Sequence, residues 1–481
     1  MGEGDAMTTL LLANVGLRDV MLDGQKIEPA REQGERILAE LETHSARLSL
    51  PLITPPVEQS LRQGSQLRVV LFATNQPEWA PPEHRARDTV HFGKIAAALL
   101  ETRWSRRGLE KVWCESIDGN PSLYDDMVVA FRRQLGSNRR WMREVECCYV
   151  CPVGGTPAAN LGLVLAAVAR FGERCRVLYL PEGESRPREL DLSRQLRQGV
   201  ARDMAAASLQ HYDFEAAAAL LEKADAPEWM ERFARYAAQR YHFDFEAASS
   251  QLEAARRASM EKPDARNHCE RTHHELSALM DRQPEARIRE LYHNGSMAWG
   301  RHEYTAFLGR VFRFQEALYR LMVEELFPGL STEVDSKESQ QRWCDYVESK
   351  PGLHQFLNAQ QTDGRHLDYR GANRTVFAAM IRYGWEGGEN FAAPERLGQM
   401  KAACRLLEGL DCLSGLRNKS IIAHGFEGVS EQSVVRRYQQ RDGRENPLTD
   451  MAGALESLGI AVGESPFDLA AGLLRGEIER L

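Results

Sequence analysis

Hydrophobic positions follow two different periods along this chain of 481 residues. As far as about residue 180, short apolar, β-branched runs alternate with stretches in which apolar residues recur every three or four positions. This alternation is typical of a mostly parallel sheet covered by helices, so the sequence predicts a Rossmann-like α/β fold. The predicted strands are Leu10–Ala13, Leu67–Ala73, Val145–Val150 and Arg176–Leu180, with helices over Ile95–Leu100, Leu123–Leu135 and Ala158–Ala169.

From about residue 193 the apolar positions have a helical period throughout. A weak repeat lies in this part, because His211-Tyr-Asp-Phe-Glu-Ala-Ala217 recurs as His242-Phe-Asp-Phe-Glu-Ala-Ala248. Repeats of this length are typical of stacked helical hairpins like those of tetratricopeptide proteins, in which Phe214 and Phe245 fill a core. The sequence therefore predicts an all-α part after the α/β part.

The length of the chain favours several domains, because one ordinary core does not extend over this many residues. We expect an α/β domain over residues 7–190, an all-α connector over 191–285 and a second all-α domain over 286–481. A net charge of −8 argues against coating nucleic acid by bulk electrostatics, so any RNA site must be local. The early apolar runs are shorter than a signal-peptide core or a membrane span, and we expect a cytoplasmic protein.

Cysteine usage indicates reduced thiols rather than a disulfide framework, because the nine cysteines are an odd number and are scattered. Cys148 and Cys151 form a CxxC pattern on a predicted strand, which favours buried thiols over a redox pair. The residues His268, Cys269, His273 and His274 have metal-capable side chains but no matching second pair in the sequence. We therefore predict no metal site.

The pair Arg417 and His424 has the spacing of two residues that return to nearly the same face of a continuous helix. It continues a series of apolar positions three or four residues apart: Leu406, Leu410 and Leu413. A guanidinium binds phosphate and an imidazole titrates near neutral pH, so the pair has the groups for RNA cleavage without a metal. The spacing alone favours the alternative, a structural arginine and a capping histidine at a helix end, followed by Gly425.

Glycine-containing loops follow the predicted strands. Cys151-Pro-Val-Gly-Gly-Thr-Pro157 lies between a strand and an Ala/Leu-rich helix, and can bring backbone N–H groups to an anion. Ala13–Arg18 and Thr74–Pro77 leave two other strands, and such loops meet at the carboxyl edge of a parallel sheet. Because glycine turns are common for steric reasons alone, this pattern is weak by itself.

In this order, the features resemble the CRISPR-associated ribonucleases that join an N-terminal CARF domain to a C-terminal HEPN domain, the auxiliary effectors of type III systems. The resemblance covers nearly the whole chain, although residues 330–383 match nothing with an assignable role. The residues that carry it are Asn14-Val-Gly16, Asn120-Pro-Ser-Leu-Tyr-Asp-Asp126, Gly154-Gly-Thr156, the two helical repeats, Arg301-His-Glu-Tyr304 with Glu316, and Arg417-Asn418 with His424.

The resemblance implies that a cyclic oligoadenylate binds across a dimer of CARF domains and activates HEPN cleavage of single-stranded RNA, with no metal or other cofactor. It assigns catalysis to Arg417, Asn418 and His424. It assigns ring binding to Gly154, Gly155 and Thr156 and, by loop position, to Asn14, Val15, Gly16 and Asn75.

One helix alone separates Arg417 from His424 by about 10 Å, which positions them poorly on a single phosphate. We therefore expect a homodimer in which two such helices cross about a two-fold axis, with the leucine series as its seam. Basic residues beyond the pair are expected to guide RNA, although a solvated charged segment fits them equally: Arg436, Arg437, Arg441 and Arg444, around Tyr438. The competing hypothesis is a non-enzymatic nucleotide-sensing regulator or scaffold, which would leave RNA intact.

Overall fold

A computed structural model of the protein describes residues 8–62, 66–137, 139–362, 365–386, 392–440 and 446–481. The chain divides into two compact units, Met1–Gly199 and Val200–Leu481. The first unit contains a parallel sheet with helices, and the second is almost entirely helical. The predicted order of an α/β part followed by an all-α part is therefore confirmed.

The first unit is built on a six-stranded sheet of order β6-β5-β1-β7-β8-β9 and a small sheet of order β3-β2-β4. In the large sheet all neighbours are parallel except β8 and β9. The strands are β1 (Thr8–Asn14), β2 (Met21–Leu22), β3 (Gln25–Lys26), β4 (Leu48–Ser49), β5 (Gln66–Thr74), β6 (Leu109–Ile117), β7 (Val145–Cys151), β8 (Cys175–Tyr179) and β9 (Arg188–Leu190).

Helices cover both faces of this sheet. Leu11 packs on one face, whereas Leu10 and Leu12 pack on the other, so β1 is buried along its whole length. Burial on both faces explains why β1 reads as a continuous apolar run. The helices of this unit are α1 (Ala30–Ala39), α2 (Leu41–His44), α3 (Thr54–Leu61), α4 (Pro82–Arg85), α5 (Val90–Trp104), α6 (Tyr124–Gly136) and α7 (Pro157–Phe171), with 3₁₀ turns at Ser105–Arg107, Arg140–Met142 and Gly172–Arg174.

The second unit has one continuous cluster of buried residues that runs from Ala205 to Ile478. None of its described helices is both long and apolar enough to cross a membrane, and the same holds for the first unit. After α8 (Leu192–Gln210), the elements are α9 (Phe214–Lys223), α10 (Glu228–Tyr241), α11 (Phe245–Ala258), α12 (Pro263–Met280), α13 (Pro284–Gly300), α14 (Tyr304–Leu326), α15 (Lys337–Glu348), α16 (Pro351–Ala359), β10 (Gln361–Thr362), β11 (Arg365–His366), α17 (Arg374–Glu386), α18 (Pro394–Leu410), α19 (Ser414–Lys419), α20 (Glu431–Gln439), α21 (Pro447–Ser457) and α22 (Pro466–Ile478).

The predicted helical hairpins are present, because α10 packs against both α9 and α11. In each repeat an aspartate caps the following helix: Asp213 accepts from Ala216 N–H at 3.1 Å, and Asp244 accepts from Ala247 N–H at 3.0 Å. Phe214 is fully buried, as predicted. The repeated sequence is therefore one turn-and-cap unit used twice.

The same turn also precedes α13 and α14. The residue before the helix cap has a left-handed backbone in each case, with φ of 55° at Tyr212, 61° at Phe243, 59° at Arg282 and 61° at His302. The residue that follows donates its N–H to a carbonyl five residues back, as in Glu303 to Ala298 at 2.9 Å. Such bonds satisfy carbonyls at the end of the preceding helix.

Candidate functional site

A cavity of about 440 Å³ lies at the carboxyl edge of the large sheet, where β1, β5 and β7 end. Polar backbone and side chains line it together with buried apolar residues of the sheet, such as Phe72. Six of the seven predicted ring-binding residues line this cavity: Asn14, Val15, Gly16, Gly154, Gly155 and Thr156. The carboxyl edge thus collects residues that are about 140 positions apart in the sequence.

Hydrogen bonds fix the loop that leaves β1. The N–H of Val15 donates to the Phe72 carbonyl at 2.8 Å, which extends the pairing of β1 with β5 by one residue. The Thr89 hydroxyl donates to the Val15 carbonyl at 2.8 Å. Asn14 Nδ2 donates to Asn160 Oδ1 on α7 at 2.8 Å. The first residues of the cavity wall are therefore tied to two neighbouring elements.

Gly154 and Gly155 form the loop between β7 and α7, and their lack of a side chain is required. A Cβ at Gly154 would lie 2.3 Å from both the Asn14 carbonyl oxygen and Asp19 Oδ2. Gly155 has φ of +82°, a backbone conformation that favours glycine. A Cβ at Gly16 would lie 2.3 Å from Gly155 N, so the two loops are in backbone contact.

Thr156 ends this loop and caps α7. Its hydroxyl accepts from Ala159 N–H at 3.2 Å and donates to the Pro121 carbonyl. Pro121 and its neighbours Asn120 and Ser122 also line the cavity. The threonine therefore joins the helix start to a third loop, the one that carries the Asn120–Asp126 motif.

Asn75 has a different position. Its side-chain oxygen accepts from Arg31 at 3.1 Å, and the residues on either side of it, Thr74 and Gln76, line the cavity instead. Arg31 also forms an ion pair of 2.7 Å with the buried Asp88. The structure places Asn75 in a polar network behind the cavity wall.

Sequence reasoning missed several charged residues of the cavity. Arg18, Lys26, His84 and Arg87 line it and provide basic side chains. Asp19 also lines it, and burial raises the pKa of its carboxyl to about 7 against the opposing hydrogen bond from Gly16. These residues come from several parts of the chain, a loop, a short strand and a short helix among them, so no sequence pattern connects them.

Arg417 and His424 do not lie on one helix, contrary to the prediction. Helix α18 passes through a 3₁₀ turn at Asp411–Leu413 into α19, which ends at Lys419. Ser420 has φ of −87° and ψ of 169°, an extended backbone that interrupts the helix. Its hydroxyl donates to the Arg417 carbonyl at 2.7 Å, a local bond that competes with helix continuation.

The chain then folds back over the end of α19. The N–H of His424 donates to the Asn418 carbonyl at 3.3 Å, and the N–H of Glu427 donates to the Lys419 carbonyl at 2.9 Å. A Cβ at Gly425 would lie 1.9 Å from the Lys419 carbonyl oxygen, so only glycine permits this approach. Asn418 and His424 are both exposed, and the turn holds the histidine next to the helix end by backbone bonds.

Arg417 is supported from the other side by α14. Its guanidinium carbon lies 5.1 Å from the ring centroid of Phe312, and that of Arg374 lies 5.2 Å from the same ring. Arg374 pairs with Asp411 at 2.7 Å. Gln315 Nε2 donates to the same Asp411 oxygen at 2.8 Å. Two cations thus contact one aromatic ring, and an acidic side chain pairs with one of them.

The predicted leucine seam is wrong. Leu410 and Leu413 are fully buried in the core of the helical unit, so neither is available to a second copy. Next to this pair, exposed apolar residues lie instead in the turn that carries His424. Ile421 is 73% exposed, Ile422 is 42% exposed and Phe426 is 94% exposed. We call these three residues the turn patch.

The predicted RNA-guiding residues are only partly described. Arg436 and Arg437 are exposed on α20, and Arg437 Nε donates to the Cys412 carbonyl at 3.1 Å beside α19. Tyr438 between these basic residues is fully buried, so its ring is not available for stacking on a base. Arg441 and Arg444 lie outside the described residues.

The cysteines of the CxxC pattern are buried thiols on β7, as predicted. Burial raises the pKa of Cys151 to about 12 and that of Cys148 well above its usual value, so neither has the thiolate character of a redox centre. In the part of the chain that the structure describes, no group of three or more His, Cys, Asp or Glu could hold a metal ion.

No protein-family model matches the sequence, and no curated protein matches it. The structure, however, matches Enterococcus italicus Csm6, which was solved bound to cyclic hexa-2'-fluoro-hexa-dAMP, with a TM-score of 0.53. The match covers 98% of this chain and 100% of that one, at 13% sequence identity. The chain has the Csm6 fold. The resemblance to CARF–HEPN effectors inferred from the sequence is thereby supported over the full length, at the level of the fold.

Proposed function

We propose that this protein is an endoribonuclease of type III CRISPR antiviral defence, which a cyclic oligoadenylate activates and which cleaves single-stranded RNA. The observation that carries this proposal is the cavity under the Gly154–Gly155 loop. It occupies the carboxyl edge of the sheet in a protein with the Csm6 fold, and the solved Csm6 contains a cyclic oligonucleotide. The cationic lining residues Arg18, Lys26 and Arg87 suit the phosphates of such a ring.

We infer that the helical unit carries out the cleavage. His424 moves a proton as the RNA 2'-hydroxyl attacks the adjacent phosphorus, and Arg417 stabilises the charge on the phosphate oxygens. The bond to the 5'-oxygen breaks and that oxygen gains a proton, which leaves a 2',3'-cyclic phosphate and a free 5'-hydroxyl. Asn418 is placed for a polar contact with the RNA, since it is exposed beside both residues. Arginine and histidine supply the needed charge and proton transfer without a metal.

A homodimer is part of this proposal. The turn patch exposes three apolar side chains around His424, a surface that a second copy would cover. Two turns that meet about a two-fold axis would bring Arg417 and His424 of both chains together. The dimer contact therefore moves from the predicted leucines to the turn itself.

We propose the domain boundaries that the sequence predicts. The CARF-type sensor domain corresponds to residues 7–190, the helical connector to 191–285 and the HEPN-type ribonuclease domain to 286–481. We propose that the protein acts in the cytoplasm, where its RNA substrates are found. Arg436, Arg437 and Arg441 are proposed to guide the RNA strand toward His424.

One experiment tests the proposal directly. Labelled single-stranded RNA is incubated with the protein and a panel of cyclic oligoadenylates of four and six units, with and without EDTA. We expect cleavage only with a ring of one size, unchanged by the chelator, and products that end in 2',3'-cyclic phosphate. A protein that binds a ring and leaves RNA intact would support the non-enzymatic regulator instead. Cleavage that EDTA abolishes and Mg²⁺ restores would exclude the Arg/His chemistry.

A further inference from the structure

Asp19 lies against both glycine loops of the cavity. The N–H of Gly16 donates to Asp19 Oδ2 at 2.5 Å, and a Cβ at Gly154 would lie 2.3 Å from the same oxygen. The N–H of Asp19 donates in turn to the Gly16 carbonyl at 3.2 Å. One side chain thus sets the distance between the loop after β1 and the loop after β7.

The surroundings of this carboxyl group disfavour its charged form. Asp19 is 1% exposed, and its Oδ1 is a buried oxygen without a hydrogen-bond partner in the described part of the chain. A buried carboxylate oxygen that no donor reaches disfavours the charged form. Desolvation accordingly raises the pKa of Asp19 to about 7, although the Gly16 N–H acts in the opposite direction. Asp19 is therefore divided between charged and neutral forms near neutral pH.

We propose that Asp19 is a positioning residue that couples the binding of an anionic ring in this cavity to the uptake of one proton. This inference rests on the proposed function, because it takes the cyclic oligoadenylate as the anion. An ionised Asp19 places a negative charge beneath the loops that contact the phosphates. A protonated Asp19 removes that charge and still accepts from Gly16, so the loops keep their arrangement.

The direction of the effect follows from linkage. Bound phosphates disfavour the ionised carboxylate, so ring binding favours the protonated form and raises the pKa of Asp19 further. Ring affinity is then highest below about pH 7 and falls as the pH rises through and above this value.

The effects of other ionisable groups around Asp19 on ring binding can be distinguished from that of Asp19. The cations Arg18, Lys26 and Arg87 line the same cavity, and Cys151 approaches from β7 with a pKa of about 12. The arginines and the lysine are cationic side chains, and the Cys151 thiol stays neutral. His84 is an imidazole in the same lining, and a positive charge on it would favour an anion in the same direction. His84 is therefore the residue for the control variant.

The test measures the affinity of the full-length protein for cyclic tetra-adenylate and cyclic hexa-adenylate from about pH 6 to about pH 8.5. For the wild type we expect the Kd to rise roughly tenfold across this range. In Asp19→Asn, which mimics the neutral form, the Kd should change little and should be lower than that of the wild type at the alkaline end. In His84→Gln most of the pH dependence should remain.

Calorimetry near neutral pH in two buffers of different ionisation enthalpy counts the protons taken up. Wild type and His84→Gln should take up a fraction of one proton, and Asp19→Asn should take up less. A pH dependence that is unchanged in Asp19→Asn would overturn the inference. If Asp19→Asn fails to fold, the proton count of His84→Gln decides, because no uptake would also overturn it. Failure of the wild type to bind either ring at any pH would instead contradict the proposed function.

Discussion

The guanidinium of Arg417 stacks on the ring of Phe312, with its central carbon 5.1 Å from the ring centroid. Stacking orients the arginine through its face and leaves its N–H donors for a phosphate. Within the described residues, the Arg417 side chain donates no hydrogen bond to another group. An aromatic residue of the core thus orients the Arg417 side chain without using its N–H donors.

We predict that Phe312→Leu lowers RNA cleavage by roughly tenfold, because the loss of a partly desolvated cation–π contact of about 1–2 kcal/mol leaves Arg417 poorly oriented. Ring binding should be unchanged. The measurement is the rate of RNA cleavage at saturating ring. Phe314→Leu is the matched control, because Phe314 is buried in the same helix. We expect this substitution to lower only the stability of the protein. Equal losses of activity in both variants would show that core packing, not the Arg417 contact, matters.

His424→Ala should abolish RNA cleavage, because a general acid–base group contributes about 10²- to 10⁴-fold. Ring binding and dimerisation should persist. A residual rate within a few-fold of the wild type would remove His424 from the proposed chemistry.

The composite site has its own test. A mixture of Arg417→Ala and His424→Ala chains contains heterodimers with one intact pair of arginine and histidine from different chains. If each phosphate is served by both chains, the mixture should recover activity that neither variant has alone. Native mass spectrometry confirms that heterodimers are present. No recovery in a mixture that contains them would argue against a site shared in this way.

Gly154→Ala should weaken ring binding at least tenfold, because its methyl group would lie 2.3 Å from the Asn14 carbonyl and from Asp19 and would push the two loops apart. The measurement is ring affinity, followed by ring-dependent RNA cleavage. Gly136→Ala is the control, since a Cβ there meets open space. Wild-type affinity in Gly154→Ala would mean that the loops tolerate separation.

Much of the α/β part was predictable from sequence because its central strands are buried on both faces. Strands β1, β5 and β7 were found within a few residues of their ends. Strand β6 (Leu109–Ile117) was missed, because it lies at the edge of the sheet and includes exposed charged residues such as Glu110 and Lys111. Edge strands lack the apolar continuity on which the prediction depends.

The candidate sites were predicted less completely, because their geometry depends on hydrogen bonds and close contacts that residue spacing does not reveal. Spacing suggested a helix through His424, but the Ser420 hydroxyl and the contact of Gly425 with Lys419 end it. The same turn before α14 could not be recognised as a repeat in the sequence, because Glu303 and Tyr304 replace the Asp and Phe of the repeat. No sequence pattern marks Asp19 as a site residue, because its burial beneath two loops arises only when the sheet has assembled.

The helical unit contains a buried ion pair whose disruption should be costly. Arg240 donates to Glu290 at 2.7 Å, and both side chains are almost fully buried. Glu290→Ala should lower the free energy of unfolding by about 3–5 kcal/mol, because it removes the buried counter-ion and leaves the guanidinium only the half-exposed Glu275 at 3.4 Å. Chemical denaturation measures the change. Glu228→Ala removes the partner of Arg232 in an exposed pair and should cost well below about 1 kcal/mol. Similar losses in both variants would contradict this account.

The turn from Ser420 to Gly425 has a consequence for how this part of the chain tolerates changes in length. On a continuous helix, one inserted residue between Arg417 and His424 would rotate the imidazole by about 100°. In this protein the N–H of Glu427 closes the loop on the Lys419 carbonyl, and both residues of this bond lie outside residues 420–423. An extra residue between Ser420 and Ala423 would enlarge a surface loop without changing the register of any helix. The position of His424 relative to Arg417 therefore depends on the backbone bonds of this turn and not on a helical period.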